Sequence, residues 1–504
     1  MPTRHPAYPL VRRPAQSGVN HLLTKSKYLS GLQCVKRLWL EEHAPQHLAA
    51  GGATQDVSRR QGVQIGRLAR ARYPGGVLIG GAGLEAVRHT QTALYNGATC
   101  LFEAAFVYDD ILVRCDILRK LPGGRWELIE VKSTTEIRPH YLHDAAVQTY
   151  VARGAGLAVQ AVKLMVVNNQ GCVFPDLASF FCETDVTRTV TRLIRKLPAN
   201  VAKLRGHLAQ PHAPQVLIGA HCGYPHLCPA KSHCWQHVPP ESIFTIPRLS
   251  ARKIARLLRR GIVRIQDIPA DFPLTPPQRA YVERVLAGAP AIDRPAIARR
   301  LGELAYPIYF FDFETYAYAV PRFWGMRPYQ QLPFQYSLHV LEADGSVRHA
   351  GYLHTDGSDP RAGLAHALVS HIGPSGSVVV YNARFERSVL RDLAHTQPVY
   401  RQRLRSIGAR LWDQMEIFER HYLDPRFEGS NSIKRVLPVL APHLSYADLA
   451  VQRGDQAQAV WGEMIASDDP AHRAQLAEGL RAYCARDTQA MLEIHRALCR
   501  LAEE

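Results

Sequence analysis

A chain of 504 residues is too long for one ordinary hydrophobic core, so two or three domains are expected. Hydrophobic residues make up 46% of it and no apolar run reaches the length needed to cross a bilayer, which argues against a membrane protein. The formal charge of +17, from 61 Lys and Arg against 44 Asp and Glu, points to a polyanionic partner, above all nucleic acid; an arginine-rich surface that is merely solvated is the bland alternative.

Residues 1–20, "MPTRHPAYPLVRRPAQSGVN", have no apolar segment or small-residue cleavage site and carry four prolines, so they are expected to form a disordered basic tail. Ten cysteines in a chain of this size are not a disulfide scaffold, and the cytoplasm is the expected location, with thiols reduced or bound to metal. From Leu22 apolar residues recur at helical spacing around Cys34. "LIGGAGLEA" contains Gly81-x-Gly83-x-x-Ala86, but the strand before it would be very short, and a glycine-rich loop leading into a helix is the better reading. Four strands follow, "CLFEAAFVYD", "ILVRCDILRK", "RWELIEVKST" and "AVKLMVVNN", the first of them reading as an antiparallel meander. A helix, "HDAAVQTYVARGA", lies between the last two.

Three acid-bearing and thiol-bearing patterns stand out. Glu130 and Lys132, two apart on a strand, point to one face, and a hairpin with the strand bearing Asp116 brings two carboxylates and an ammonium together. Carboxylates so placed hold Mg²⁺ or Mn²⁺, and the lysine stabilises charge on a phosphate. "GAHCGYPHLCPAKSHCW" spaces Cys222, Cys228 and Cys234 six apart in a Gly- and Pro-rich loop, which no core requires. After a basic, proline-broken helical stretch at 241–300, "YPIYFFDFETY" is a near-continuous apolar strand interrupted by Asp312 and Glu314 on one face. Buried charges there need pairing or a metal. "SVVVYNARFERSVLRDLA" reads as a strand, Asn382 as an N-cap, and a helix bearing Glu386, with Asp392 further along it. On the last helix Tyr483 and Asp487 share a face at i, i+4.

Asp116, Glu130-Val131-Lys132 and Gln148-Thr149-Tyr150 resemble the PD-(D/E)XK nucleases of the RecB type, with Glu103 where that family often has an early acid. A subset of those nucleases, including CRISPR-associated ones, holds an iron–sulfur cluster through one cysteine before the nuclease core and three after it. The resemblance therefore implies a [4Fe–4S] cluster on Cys34, Cys222, Cys228 and Cys234, with Zn²⁺ helped by His221, His226 or His233 as the alternative. Cys100, Cys115, Cys172 and Cys182, in or beside apolar runs, read as small core residues.

Asp312-x-Glu314, Asn382-x-x-Phe385-Glu386 and Tyr483-x-x-x-Asp487 resemble the DnaQ-like 3′–5′ exonucleases of the subclass with a tyrosine, over about residues 300–500. Glu386 stands where that family usually has Asp. "NSIKRVLP", with Ser432 and Lys434, matches a Ser-Leu-Lys-like helix start, and Asp413 in "LWDQMEIF" is placed on the preceding helix. The order of the two halves resembles a bacterial family that fuses the two nuclease types.

The implied fold is α/β throughout: a PD-(D/E)XK restriction-endonuclease-like domain at 21–240, a helical connector at 241–300, and an RNase H-like exonuclease domain at 301–504. The implied function is a metal-dependent nuclease acting on nucleic acid, DNA foremost, with Asp116, Glu130, Lys132 and Gln148 at one site and Asp312, Glu314, Glu386, Tyr483 and Asp487 at the other. All of these acids would ligate Mg²⁺ or Mn²⁺. The alternative is a nucleic-acid-binding adaptor in which one or both folds are catalytically inactive.

Overall fold

The computed structural model describes residues 22–49 and 53–504; the expected basic tail lies outside the described residues. The chain divides into two compact units, residues 1–237 with 319–329, and residues 238–318 with 330–504. Both are mixed α/β. Among the described residues no helix is long and apolar enough to cross a membrane.

The first unit opens with β1 (Leu23–Thr24), α1 (Lys25–Gln33) and α2 (Val35–His43). Thr24 caps α1 by accepting from Lys27 N–H at 3.2 Å. Cys34 is extended, so the helical periodicity seen in the sequence belongs to two helices meeting at that cysteine. There follow α3 (Ala53–Ala71), β2 (Val77–Leu78), α4 (Gly83–Tyr95), β3 (Cys100–Tyr108), β4 (Ile111–Lys120), β5 (Trp126–Lys132), α5 (Pro139–Gly154), β6 (Val159–Val167), β7 (Phe181–Asp185), α6 (Thr187–Ile194), α7 (Leu197–Leu208) and the short α8 (Lys231–Trp235). The strands form one sheet ordered β2-β3-β4-β5-β6-β7, with β1 added alongside β4. β3, β4 and β5 are the expected antiparallel meander, and β6 returns parallel to β5 after α5. The glycine-rich loop does lead into a helix, but α4 also joins a two-residue strand to its parallel neighbour β3.

The second unit contains α9 (Ala251–Leu258), α10 (Pro276–Ala287), β8 (Ala291–Ile292) and α11 (Arg294–Leu301), followed by the strand-rich region. That region runs β9 (Ile308–Ala317), β10 (Gln331–Leu341), β11 (Val347–Leu353), α12 (Arg361–His371), β12 (Ser377–Val380), α13 (Ala383–Thr396), α14 (Arg401–Ala409), β13 (Leu411–Asp413), α15 (Met415–Arg420), β14 (Tyr422–Leu423), α16 (Ile433–Leu440), α17 (Gly454–Met464) and the long α18 (Pro470–Glu503). Its main sheet is ordered β11-β10-β9-β12-β13, antiparallel at β11-β10-β9 and parallel at β9-β12-β13.

The apolar content of β9 is explained by helices on both faces. Tyr309, Phe311 and Phe313 pack with α12, α13 and α14. Ile308 and Phe310 face the other way, against α16 and α18. Strand side chains alternate, so Asp312 and Glu314 continue the face of Ile308 and Phe310, toward α18.

Candidate active sites and a four-thiol site

In the first unit the same alternation aims the motif residues. Trp126 and Leu128 of β5 pack on α5, whereas Ile129 and Val131 turn to Ala69 and Met165 on the opposite face. Glu130 and Lys132 therefore continue toward α5, which presents Asp144 and Gln148 one turn apart. Lys132 Nζ donates to Glu130 Oε1 at 2.7 Å and also to Asp144 Oδ2. Gln148 Nε2 donates to Glu130 Oε2 at 2.6 Å and to Asp144 Oδ1 at 3.0 Å. Lys25, the first residue of α1, adds a second ammonium, 3.2 Å from Glu130 Oε1 and 3.0 Å from Asp144 Oδ1. Asp116, mid-strand in β4, accepts from Val131 N–H at 2.7 Å.

Burial and the charges of Asp116 and Asp144 push the Glu130 carboxyl up to about 7, against the pull of the two lysines. Burial also raises Asp116. Asp144 goes the other way: burial opposes its charge, but Lys132 and Lys25 hold it well below the usual carboxylate range. Glu103 sits where β3 departs from regular pairing, between Phe102 (opposite Ile117) and Ala104 (opposite Cys115), with a left-handed φ of 57°. Its carboxylate is 3.5 Å from Arg114 and its charge raises Asp116. Tyr150 is not part of this cluster; its hydroxyl donates to Asp109 at 3.1 Å.

The four cysteines expected as ligands do converge. Cys34, Cys222, Cys228 and Cys234 line one small cavity with His221 and Arg37. Gln33, at the end of α1, ties the loop down by donating to the carbonyls of His221 and His226 at 2.7 and 2.8 Å. Burial opposes ionisation of Cys222, but His221 and Trp235 bring its thiol down to about 7. Cys34 is lowered as well, chiefly through His221 acting against burial. Burial raises Cys228 and Cys234. Of the expected core cysteines, Cys100, Cys115 and Cys172 are buried and Cys182 is exposed.

In the second unit Asp312, Glu314, Tyr483 and Asp487 line one pocket with Lys434 and Phe385. Tyr446, which no sequence pattern marks, donates to Asp487 Oδ1 at 2.6 Å. Lys434 stands over the rings of Tyr446 and Tyr483, 5.2 and 5.5 Å from their centroids, and its Nζ donates to the Gln452 carbonyl. Burial, then the charges of Asp487, Glu314 and Glu386, push Asp312 well above the ordinary carboxylate range. Glu314 is raised by burial, Asp487 and Glu386, with Lys434 opposing. Burial takes Asp487 up to about 6 although Tyr446, Lys434 and Tyr483 favour its charge. The Tyr483 hydroxyl is pushed upward by burial and the surrounding carboxylates, so it remains a donor at neutral pH. The Cys484 sulfur lies within 4.8 Å of carboxylate oxygens of Asp312 and Glu314.

Glu386 is not on the pocket wall. It lies buried under the first turn of α13, its Oε2 has no hydrogen-bond partner, and burial with the charge of Asp413 takes it up to about 8. Asn382 occupies the N-cap position but is left-handed, with φ 79°, and makes no side-chain cap. The cap comes from Asp413 instead. That residue ends strand β13 rather than lying on a helix, and it accepts from Asn382 N–H at 3.0 Å and Ala383 N–H at 2.8 Å. Asp392 is directed elsewhere, accepting from Gln330 at 3.0 Å.

Residues 309–432 match the family described as "Domain of unknown function (DUF2779)". No curated protein matches the chain. A solved structure titled "Crystal structure of SSO0001" is similar at 10% identity over 37% of this chain and 78% of that one, with a TM-score of 0.17. A likeness at that score carries no argument about fold or function.

Proposed function

We propose that the chain is a metal-dependent nuclease with two active sites acting on nucleic acid, DNA foremost, and that the site of the second unit is a 3′–5′ exonuclease. The observation that carries this is the second-unit pocket, where Asp312, Glu314 and Asp487 are gathered and buried, all three raised by burial and the two β9 acids raised further by Asp487, with no ion pair to them among the described residues, beside a protonated tyrosine and a lysine. Like charges gathered without compensation are costly unless a cation serves them. Asp312, Glu314 and Asp487 would hold Mg²⁺ or Mn²⁺, with Glu386 close enough to influence both β9 acids. A divalent ion supplies polarisation of the phosphodiester and an acidified water. The chain's own part is separate: Tyr483 donates a hydrogen bond that orients the attacking water, and Lys434 offsets negative charge as the bond from phosphorus to the 3′ oxygen breaks. The strand order, three antiparallel strands followed by two parallel ones with helices on both faces, supports the RNase H-like, DnaQ-type reading. The meander, crossover helix and parallel return of the first unit support the PD-(D/E)XK, RecB-type reading.

The four thiols that line one cavity would hold a [4Fe–4S] cluster, with one Zn²⁺ as the alternative.

End-labelled single-stranded and duplex DNA and RNA, incubated with purified protein and Mg²⁺ or Mn²⁺, test the proposal. A ladder shortening from the 3′ end is expected. Asp312→Ala should reduce it about 100-fold or more, the equivalent of several kcal/mol of lost metal assistance. Lys132→Ala should leave it intact. Wild-type protein that trims none of these substrates overturns the exonuclease. The adaptor reading, with the first unit inactive, draws on one observation: every oxygen of Glu130 and Asp144 already has a protein partner.

A further inference from the structure

Lys25 belongs to none of the motifs, yet its ammonium sits inside the first-unit cluster, between Glu130 Oε1 at 3.2 Å and Asp144 Oδ1 at 3.0 Å. We infer that Lys25 is a displaceable resident cation of this site: its ammonium occupies the place at Glu130 that a divalent ion must take, so engagement of Lys25 and binding of the ion exclude each other. The inference rests on the metal-dependent reading of the first unit.

Three observations carry it. The first is occupancy. Glu130 Oε1 receives both ammoniums, Glu130 Oε2 receives Gln148, Asp144 Oδ1 receives Gln148 and Lys25, and Asp144 Oδ2 receives Lys132. Both lone pairs of Glu130 Oε1 are therefore taken by ammoniums, and a divalent ion can bind that oxygen only after one of them departs. The second is which donor can leave. Gln148 is fully buried and Lys132 belongs to the strand that carries Glu130, whereas Lys25 begins a separate helix and has the more exposed of the two lysine side chains, 24% against 16%. The third is charge. With all three ionised, as a bound cation favours, the carboxylates of Asp116, Glu130 and Asp144 carry one formal charge more than the two ammoniums of Lys25 and Lys132 offset. Exchanging Lys25 for a divalent ion brings that cluster to neutrality, while exchanging Lys132 as well does not.

The experiment uses the full chain carrying Asp312→Asn and Asp487→Asn, which silences the cation site of the second unit. Mn²⁺ is titrated in, and the free ion is read by its paramagnetic resonance signal. Replacing Lys25 by Met or, to keep a hydrogen-bond donor and guard against misfolding, by Gln should tighten Mn²⁺ binding at least about tenfold. Lys25→Arg, which keeps the charge, should leave binding near that of the parent. The metal-free Lys25→Met protein should also melt lower than its parent and recover more of its melting temperature on addition of Mn²⁺. Equal or weaker Mn²⁺ binding in both neutral variants overturns the role of Lys25. Absence of Mn²⁺ uptake in the parent and in every variant overturns the first-unit metal site itself, and the inference with it, without touching the exonuclease assigned to the second unit.

Discussion

Single residues carry the strongest consequences where like charges meet. Asp312, Glu314, Asp487 and Glu386 are all raised, so the folded second unit holds more protons than the unfolded chain above the ordinary carboxylate range. A raised carboxyl stabilises the fold fully below its unfolded pKa of about 4 and loses that contribution as pH climbs through the folded value. Depressed histidines such as His140, His339 and His495 act in the opposite sense, but only below about pH 6.5; the lowered thiols of Cys222 and Cys34 act in that sense as pH rises toward 9, and the raised His221 beside them counters it. Between pH 6.5 and 8 the chelator-treated protein should therefore lose stability as pH rises. Asp312→Asn should flatten that slope and raise the melting temperature at pH 8 by about 2–4 °C for each kcal/mol of repulsion relieved. Calorimetry across the range decides it, and a wild-type melting temperature that climbs with pH would sink the charge argument. Asp312 and Glu314 were legible because two acids interrupt an apolar strand at the strand period. Asp144, Lys25 and Tyr446 were not, for different reasons. Asp144 precedes Gln148 by one helical turn, a spacing common on any helix. Lys25 reaches Glu130 from another helix, at the other end of 105 residues of chain, and Tyr446 approaches Asp487 from a loop.

Elements were legible where a period ran long enough. The ten residues of β9 and the helical face of α18 stand out in any window, and both place motif residues as their periodicity dictates. β13 has three residues, and its pairing with β12 is a tertiary event that no local pattern announces. Asp413 was consequently placed on a helix, and its service to α13 was invisible. Asp413→Ala should remove the acceptor for two amide groups at the start of α13 and cost about 1–2 kcal/mol. Asp413→Asn, which keeps an acceptor oxygen, should restore most of it. Denaturant unfolding of the two variants measures the difference; equal loss in both would place the effect in charge and not in capping. The break at Cys34 has a similar origin. The helical repeat continues through it, but the extended cysteine turns its side chain into the shared cavity, and the partners that make this worthwhile lie 188 to 200 residues further on, at Cys222 to Cys234.

Across the whole molecule, composition foresaw more than one core, but not which side of the boundary the proline-broken helices fall. They count with the second unit, whose core takes in Ile297 of α11. The thiol site gives the clearest bulk readout. Protein purified without oxygen should be brown, with broad visible absorption that bleaches on reduction, and Cys34→Ser should lose the colour together with much of the soluble yield. Colourless protein carrying one zinc per chain would overturn the cluster in favour of zinc. The span of that site also sets an order of events during synthesis. Cys34 and Cys234 are 200 residues apart, which at about 5–20 residues per second separates their emergence from the ribosome by about 10–40 s. Cys34 therefore waits without its partner thiols while strands β2 to β7 of the first sheet are made. A chain that stops short of Cys234 never completes the four-thiol set, so ligation of the proposed cluster would mark only those copies in which both the first sheet and the cysteine loop have been translated.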